Sequence, residues 1–154
     1  MESKKGLYVG CGLTYAPESF KENVASVKET LRERNYDVLE FTGEQIATPS
    51  EVYIQDIQNC VKTCEVMLAI VDYPSLGLGW EMAVANTLKT PTLAIAQVNT
   101  TVSRLVLGAA EIIPSFYFQR YEVFQDIPDQ LDYFLKDSNK IIATSRNTTA
   151  VEAT

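Results

Sequence analysis

The stretch Val66-Met67-Leu68-Ala69-Ile70-Val71-Asp72-Tyr73-Pro74-Ser75-Leu76-Gly77-Leu78-Gly79-Trp80-Glu81 decides the fold. Its first six residues are apolar without alternation, the pattern of a strand covered on both faces, as in a parallel sheet. Asp72 and a Pro/Gly turn end the strand, and Glu81-Met82-Ala83-Val84-Ala85-Asn86 reads as helix. Gly77 and Gly79 let backbone N–H groups approach a ligand closely. Glu81 is expected in or near the first helical turn, facing the same crevice. A carboxylate there would repel a bound phosphate. Its presence suggests chemistry on a sugar or another electrophile, with the loop holding the substrate.

Strand-like and helix-like segments alternate on either side of this stretch. Strands are predicted at 6–11, 36–41, 65–71, 91–97 and 115–119, and helices at 18–34, 50–63, 79–89, about 101–109 and 125–136. Phe20, Val24, Val27 and Leu31 fall on one face of the 18–34 segment. Thr48-Pro49-Ser50-Glu51 makes a helix entry. The alternation predicts an α/β flavodoxin-like (Rossmann-like) fold. Its five-stranded parallel sheet has order 2-1-3-4-5 and helices on both faces. The ligand crevice then lies at the carboxyl ends of strands 1 and 3, where Cys11 to Tyr15 and Asp72 to Glu81 both fall. Residues 1–137 are expected to form one catalytic domain. The polar, small residues 138–154 are expected to form a mobile tail.

The chain has 154 residues, 46% of them hydrophobic, enough for one domain with a real core. Its net charge of −7 argues against binding a nucleic acid polymer through the phosphate backbone. No run approaches the length of a membrane span. Met1-Glu2-Ser3-Lys4-Lys5 leads straight into a strand, so no secretory signal is expected. Cys11, Cys60 and Cys64 lack metal-ligand spacing and read as free thiols, which suits the cytoplasm. The chain contains no histidine. That removes serine–histidine and cysteine–histidine catalysis and the usual zinc hydrolase sites. Neither a metal nor an organic cofactor is expected.

Each candidate residue has two readings. Glu81 is either a nucleophile for an anomeric carbon or an acid favoured by a helix N-terminus. Asp56, in Val52-Tyr53-Ile54-Gln55-Asp56-Ile57, is a second functional carboxylate or a solvated helix charge. Asp72 lies at the crevice mouth or caps a turn. Tyr8 donates a hydrogen bond into the crevice or packs in the core. Ser75 with Gly77 and Gly79 binds a phosphate or sugar hydroxyl, or simply makes a turn. The turn is not a dinucleotide fingerprint, because Met82 takes the third glycine position.

Three blocks together resemble the nucleoside 2-deoxyribosyltransferase family. They are Leu7-Tyr8-Val9-Gly10-Cys11-Gly12-Leu13-Thr14, Glu51-Val52-Tyr53-Ile54-Gln55-Asp56, and Pro74-Ser75-Leu76-Gly77-Leu78-Gly79-Trp80-Glu81. The likeness covers roughly residues 6–135. It implies that Glu81 is the nucleophile, that Tyr8 hydrogen-bonds it, and that Asp56 is the second carboxylate. The Pro-Ser-Leu-Gly-x-Gly form resembles the branch of 2′-deoxynucleoside 5′-phosphate N-hydrolases. In that branch Ser75 would bind the 5′-phosphate, and Ser103 would reach it from a neighbouring subunit of a homo-oligomer, at least a dimer. The first turn would also touch substrate, but Gly12 and Thr14 stand where the hydrolases have serine and arginine. Thr14 offers no bidentate grip on a phosphate. The implied substrate is a small deoxynucleoside or deoxynucleotide. Three other readings are a base-exchanging transferase on unphosphorylated deoxynucleosides, a non-catalytic nucleotide sensor, and a receiver-type signalling domain. Cys11-Gly12-Leu13-Thr14 lacks the acidic pair that the last requires.

Overall fold

The computed structural model describes residues 2–40 and 48–137. The expected tail, 138–154, and the end of the predicted second strand at Phe41 lie outside the described residues.

The elements follow in the order β1 (Lys5–Cys11), α1 (Glu18–Glu33), β2 (Tyr36–Leu39), α2 (Pro49–Tyr53), β3 (Val66–Ile70), α3 (Leu76–Thr87), β4 (Thr92–Gln97), α4 (Arg104–Ile112) and β5 (Phe116–Tyr121). A last helix, α5, spans 127–137. All strand pairs are parallel, and the sheet order is β2-β1-β3-β4-β5. This is the predicted flavodoxin-like topology.

The sequence pattern explains the layers. β3 is buried along its whole length, because helices cover both faces of the sheet. On one face lie α1 and α5. Phe20, Val24, Val27 and Leu31 of α1 meet Leu7, Val9, Leu68, Ile70, Leu93 and Ile95, with Ile127, Leu131 and Phe134 beside them. Each such side chain contributes about 1.5–3 kcal/mol through burial. On the other face Ile57, Cys60, Val61, Leu78, Met82 and Ala85 pack on Tyr8, Met67, Ala69 and Ala94. α1 and α3 are each followed by a residue in the left-handed region, Asn35 (φ 69°) and Lys89 (φ 57°). Such residues commonly stop helices.

Two elements differ from the sequence expectation. The predicted 50–63 helix starts with a capping box: Thr48 Oγ1 accepts from the Glu51 amide, and Glu51 accepts from the Thr48 amide. It then runs on without a break into a π-helical segment, Ile54–Val61. α3 begins three residues before the predicted 79, because Ser75 caps it: Ser75 Oγ accepts from Leu78 N at 3.1 Å. Gly77 and Gly79 are therefore helical, with no positive φ, and Glu81 sits in the second turn.

Candidate active site

A cleft of about 720 Å³ opens at the carboxyl end of β1, bounded by α1, by the end of β2 and by Ser75 and the N-terminal half of α3, which follow β3; the end of β2 joins the strand 1 and 3 crevice expected from the sequence. Such crevices form where neighbouring connections leave a parallel sheet in opposite directions. Tyr8, Gly10, Cys11, Thr14, Lys28, Glu40, Asp56, Ser75, Gly77 and Glu81 are among its lining residues.

Tyr8 enters from β1, where it pairs in register with Leu39 of β2 and Met67 of β3. Its hydroxyl donates to Glu81 Oε1 at 3.0 Å. The other carboxylate oxygen, Oε2, is set by Gly10. A Cβ built on Gly10 would lie 2.9 Å from Glu81 Oε2 and 2.8 Å from Leu78 Cδ1. Only glycine lets α3 and its carboxylate come this close to β1. Gly10 is not among the site residues expected from the sequence. A lone glycine inside a strand next to a ligand crevice is the signal that marks it.

Burial pushes the Glu81 carboxyl up to about 7; the Tyr8 hydrogen bond opposes the rise, and the charge of Asp56 adds to it. Near neutral pH this carboxyl is poised between its two forms. Burial also drives the Tyr8 phenol far up, helped by the charges of Glu81 and Asp56, so it stays a hydrogen-bond donor. Asp56 stands in the π-helical segment, a local geometry frequent at functional sites. Burial raises its pKa, and the Lys28 ammonium pulls it back. Burial likewise raises the Cys11 thiol, which leaves little thiolate to compete as a nucleophile.

The sequence-predicted residues do not all meet. Glu81, Asp56, Tyr8, Thr14, Ser75 and Gly77 share the cleft. Asp72 does not. It lines a second cavity of about 390 Å³, and its carboxylate accepts from the Gln97 amide (3.0 Å), Thr100 Oγ1 (3.2 Å) and the Tyr121 hydroxyl (3.0 Å). These bonds tie the end of β3 to β4 and β5. Gly12 is buried outside the cleft, where a Cβ would come 2.6 Å from the Tyr73 carbonyl. It allows the two crevice loops to touch. Gly79 is a helical residue whose Cβ would meet open space. Ser103 caps α4, with Oγ accepting from Leu105 N at 3.3 Å, and lies outside this chain's cleft.

Lys28, Arg32 and Glu40 were missed. Lys28 Nζ lies 2.8 Å from Glu40 Oε1, and Arg32 pairs with the other oxygen of Glu40 and with Glu29. Burial works against the ionised Glu40 carboxyl, but Lys28 and Arg32 hold its pKa below the usual value. Nothing in the local sequence joins residues 28 and 40. Among the described residues, no group of three or more potential ligands could hold a metal ion.

Comparisons with known proteins bear on the family and the fold. No family model matches the chain. A protein of Thermofilum pendens, provisionally named 2′-deoxynucleoside 5′-phosphate N-hydrolase 1, is 31% identical over 125 residues, which cover 75% of this chain and 85% of that protein. In fold, the chain is similar to the CMP N-glycosidase of Clostridium botulinum, with a TM-score of 0.61 at 15% identity, over 81% of this chain and 98% of that one. A conserved protein of Enterococcus faecalis V583 gives a TM-score of 0.56 at 16% identity, over 85% and 99% of the two chains. Those two likenesses concern the fold. The sequence relationship goes further: the chain belongs to the 2′-deoxynucleoside 5′-phosphate N-hydrolase family, N-glycosidic hydrolases of the nucleoside 2-deoxyribosyltransferase type.

Proposed function

We propose that this chain hydrolyses the N-glycosidic bond of 2′-deoxynucleoside 5′-monophosphates through a covalent intermediate on Glu81. The observation that carries the reading is the Tyr8–Glu81 pair. One partly buried carboxylate oxygen is held by a phenol at 3.0 Å while the carboxylate lines a nucleotide-sized cleft together with Asp56. The sequence relationship to a named 2′-deoxynucleoside 5′-phosphate N-hydrolase supports it.

In the first step the ionised Glu81 oxygen bonds to C1′, and the C1′–N bond breaks. The electron pair leaves with the base, which takes up a proton from solvent. In the second step a water oxygen bonds to C1′ and returns one proton to solvent, and the ester bond to Glu81 breaks. This releases deoxyribose 5-phosphate with retained configuration and returns the carboxylate. Tyr8 orients Glu81 and favours its charged form. Asp56 accepts from a sugar hydroxyl and sets the ring against the nucleophile. Ser75 and the first amides of α3 receive the 5′-phosphate, where the helix dipole favours an anion. The departure at Thr14 makes this helix end the principal phosphate contact within the chain.

Two copies pairing through the outer face of α4 would complete the site. Leu105 and Ile112 there are 83% and 80% exposed, and Ser103 at the helix start would reach the partner's cleft. A fully active monomer by light scattering would contradict this. Three free cysteines suit a reducing, cytoplasmic setting. No helix among the described residues is long and apolar enough to cross a membrane.

Incubation with matched deoxynucleosides and monophosphates tests the reading. Free base with deoxyribose 5-phosphate supports hydrolysis. Base exchange without sugar release would instead support the transferase alternative, and tight binding without bond cleavage the sensor.

A further inference from the structure

We propose that Lys28 and Glu40 form the base-reading end of the cleft and select nucleobases whose exocyclic amino group adjoins an unprotonated ring nitrogen, as in cytosine and adenine. The inference rests on the hydrolase reading for the placement of the sugar.

β2 and β3 flank β1, so their carboxyl ends lie two strand spacings apart, about 10 Å. Ser75 and the α3 N-terminus stand beyond β3, and Glu40 directly follows β2. Glu81 and Asp56 line the same cleft, and Tyr8 lines it from β1, the strand between β2 and β3. In a nucleotide the 5′-phosphate and the base project from opposite sides of the sugar. With the phosphate at Ser75 and C1′ at Glu81, the base is carried toward Glu40 and Lys28.

The chemistry of this end is a fixed pair of one donor and one acceptor. Lys28 Nζ lies 2.8 Å from Glu40 Oε1, and their side chains are 22% and 34% exposed. Arg32 braces the other oxygen of Glu40, which stops the carboxylate from rotating. An ammonium has three donors and a carboxylate about four acceptor sites, so the ion pair leaves both partners with capacity. Glu40 can accept from an exocyclic amino group while Lys28 donates to the adjoining ring nitrogen. Uracil, thymine and hypoxanthine reverse both groups. They would set an oxo oxygen against the carboxylate and a ring N–H against the ammonium.

The test compares kcat/KM for dCMP against dUMP, and for dAMP against deoxyinosine monophosphate, which differ only in this pattern. Wild type should favour the amino member of each couple by at least about tenfold, the scale of one hydrogen bond to a charged group. Glu40→Gln, whose amide can turn to donate, should bring the ratio near one or invert it. Lys28→Met should lower the same ratio independently, so a Glu40 variant that fails to fold does not remove the test. Calorimetric binding of the four nucleotides to Glu81→Gln reads the base preference without turnover. Preferential binding with no base release by wild type would sink the hydrolase reading and keep this one. Base release with no amino preference, or a ratio untouched by both variants, would overturn this one and keep the hydrolase.

Discussion

Tyr8 and Glu81, 73 positions apart in the chain, meet at 3.0 Å, with the phenol donating to one oxygen of the carboxylate. Gly10, two residues along the same strand, leaves room for the other oxygen. One strand thus holds both ends of the carboxylate on α3.

Removing the phenol should move the acid limb of the pH profile. The Tyr8 hydrogen bond favours ionised Glu81 and opposes the burial that lifts it to about 7. In Tyr8→Phe that opposition is gone, so the limb of kcat/KM should shift to higher pH. Activity at neutral pH should fall about 10- to 100-fold, the scale of a hydrogen bond to a charged group. An unmoved limb would show that the phenol does not control the carboxylate.

Stability should carry the same signature with a defined sign. Glu81 holds its proton to about pH 7 in the folded chain, against an ordinary value of 4.5. Between these values the folded state binds the extra proton. The penalty for burying the charge therefore grows as pH rises from 4.5 and is complete above 7. It is on the order of 3 kcal/mol. Glu81→Gln should melt above wild type at pH 8, with the gap closing toward pH 4.5. A gap that does not change with pH would count against a buried, poised carboxylate.

Gly10→Ala should damage chemistry more than folding. The new methyl group would meet Glu81 Oε2 and the flexible end of Leu78. Leu78 can yield at a cost of about 1–3 kcal/mol. A carboxylate displaced by even part of an ångström should lower kcat by roughly 100-fold. Wild-type kcat in a folded Gly10→Ala protein would refute the close approach.

Ser75→Ala tests the phosphate end. Loss of the cap to Leu78 N should cost about 1 kcal/mol of stability. The kcat/KM advantage of a monophosphate over its nucleoside should shrink by about tenfold or more. If that advantage survives intact, the phosphate binds elsewhere.

The buried face of α1 was legible from hydrophobic period, and the sheet order from strand–helix alternation joined to right-handed crossovers. Phe20, Val24, Val27 and Leu31 had to share a face once the segment was helical. Gly77 misled, because glycine permits a loop without requiring one, and the Ser75 cap draws it with Leu76 and Leu78 into α3, ahead of the helix start expected at 79. Asp72 was ambiguous for a similar reason. Its role depends on Gln97, Thr100 and Tyr121, which only the packed sheet brings to it. The π-helical turn at Asp56 leaves no mark in a pattern that reads equally well as α-helix. Lys28 and Glu40 each look like solvated surface charges until β2 lies beside β1.

The central claim, that Glu81 attacks C1′ of a deoxynucleotide, is tested most directly by product release from wild type and Glu81→Ala side by side. Free base and deoxyribose 5-phosphate are measured from each of the common 2′-deoxynucleoside 5′-monophosphates. Wild type should release the two products in equal amounts from at least one of them. Folded Glu81→Ala should be slower by roughly 10⁴-fold or more. Substantial base release by purified Glu81→Ala, or none by wild type from any of the nucleotides, would contradict the mechanism.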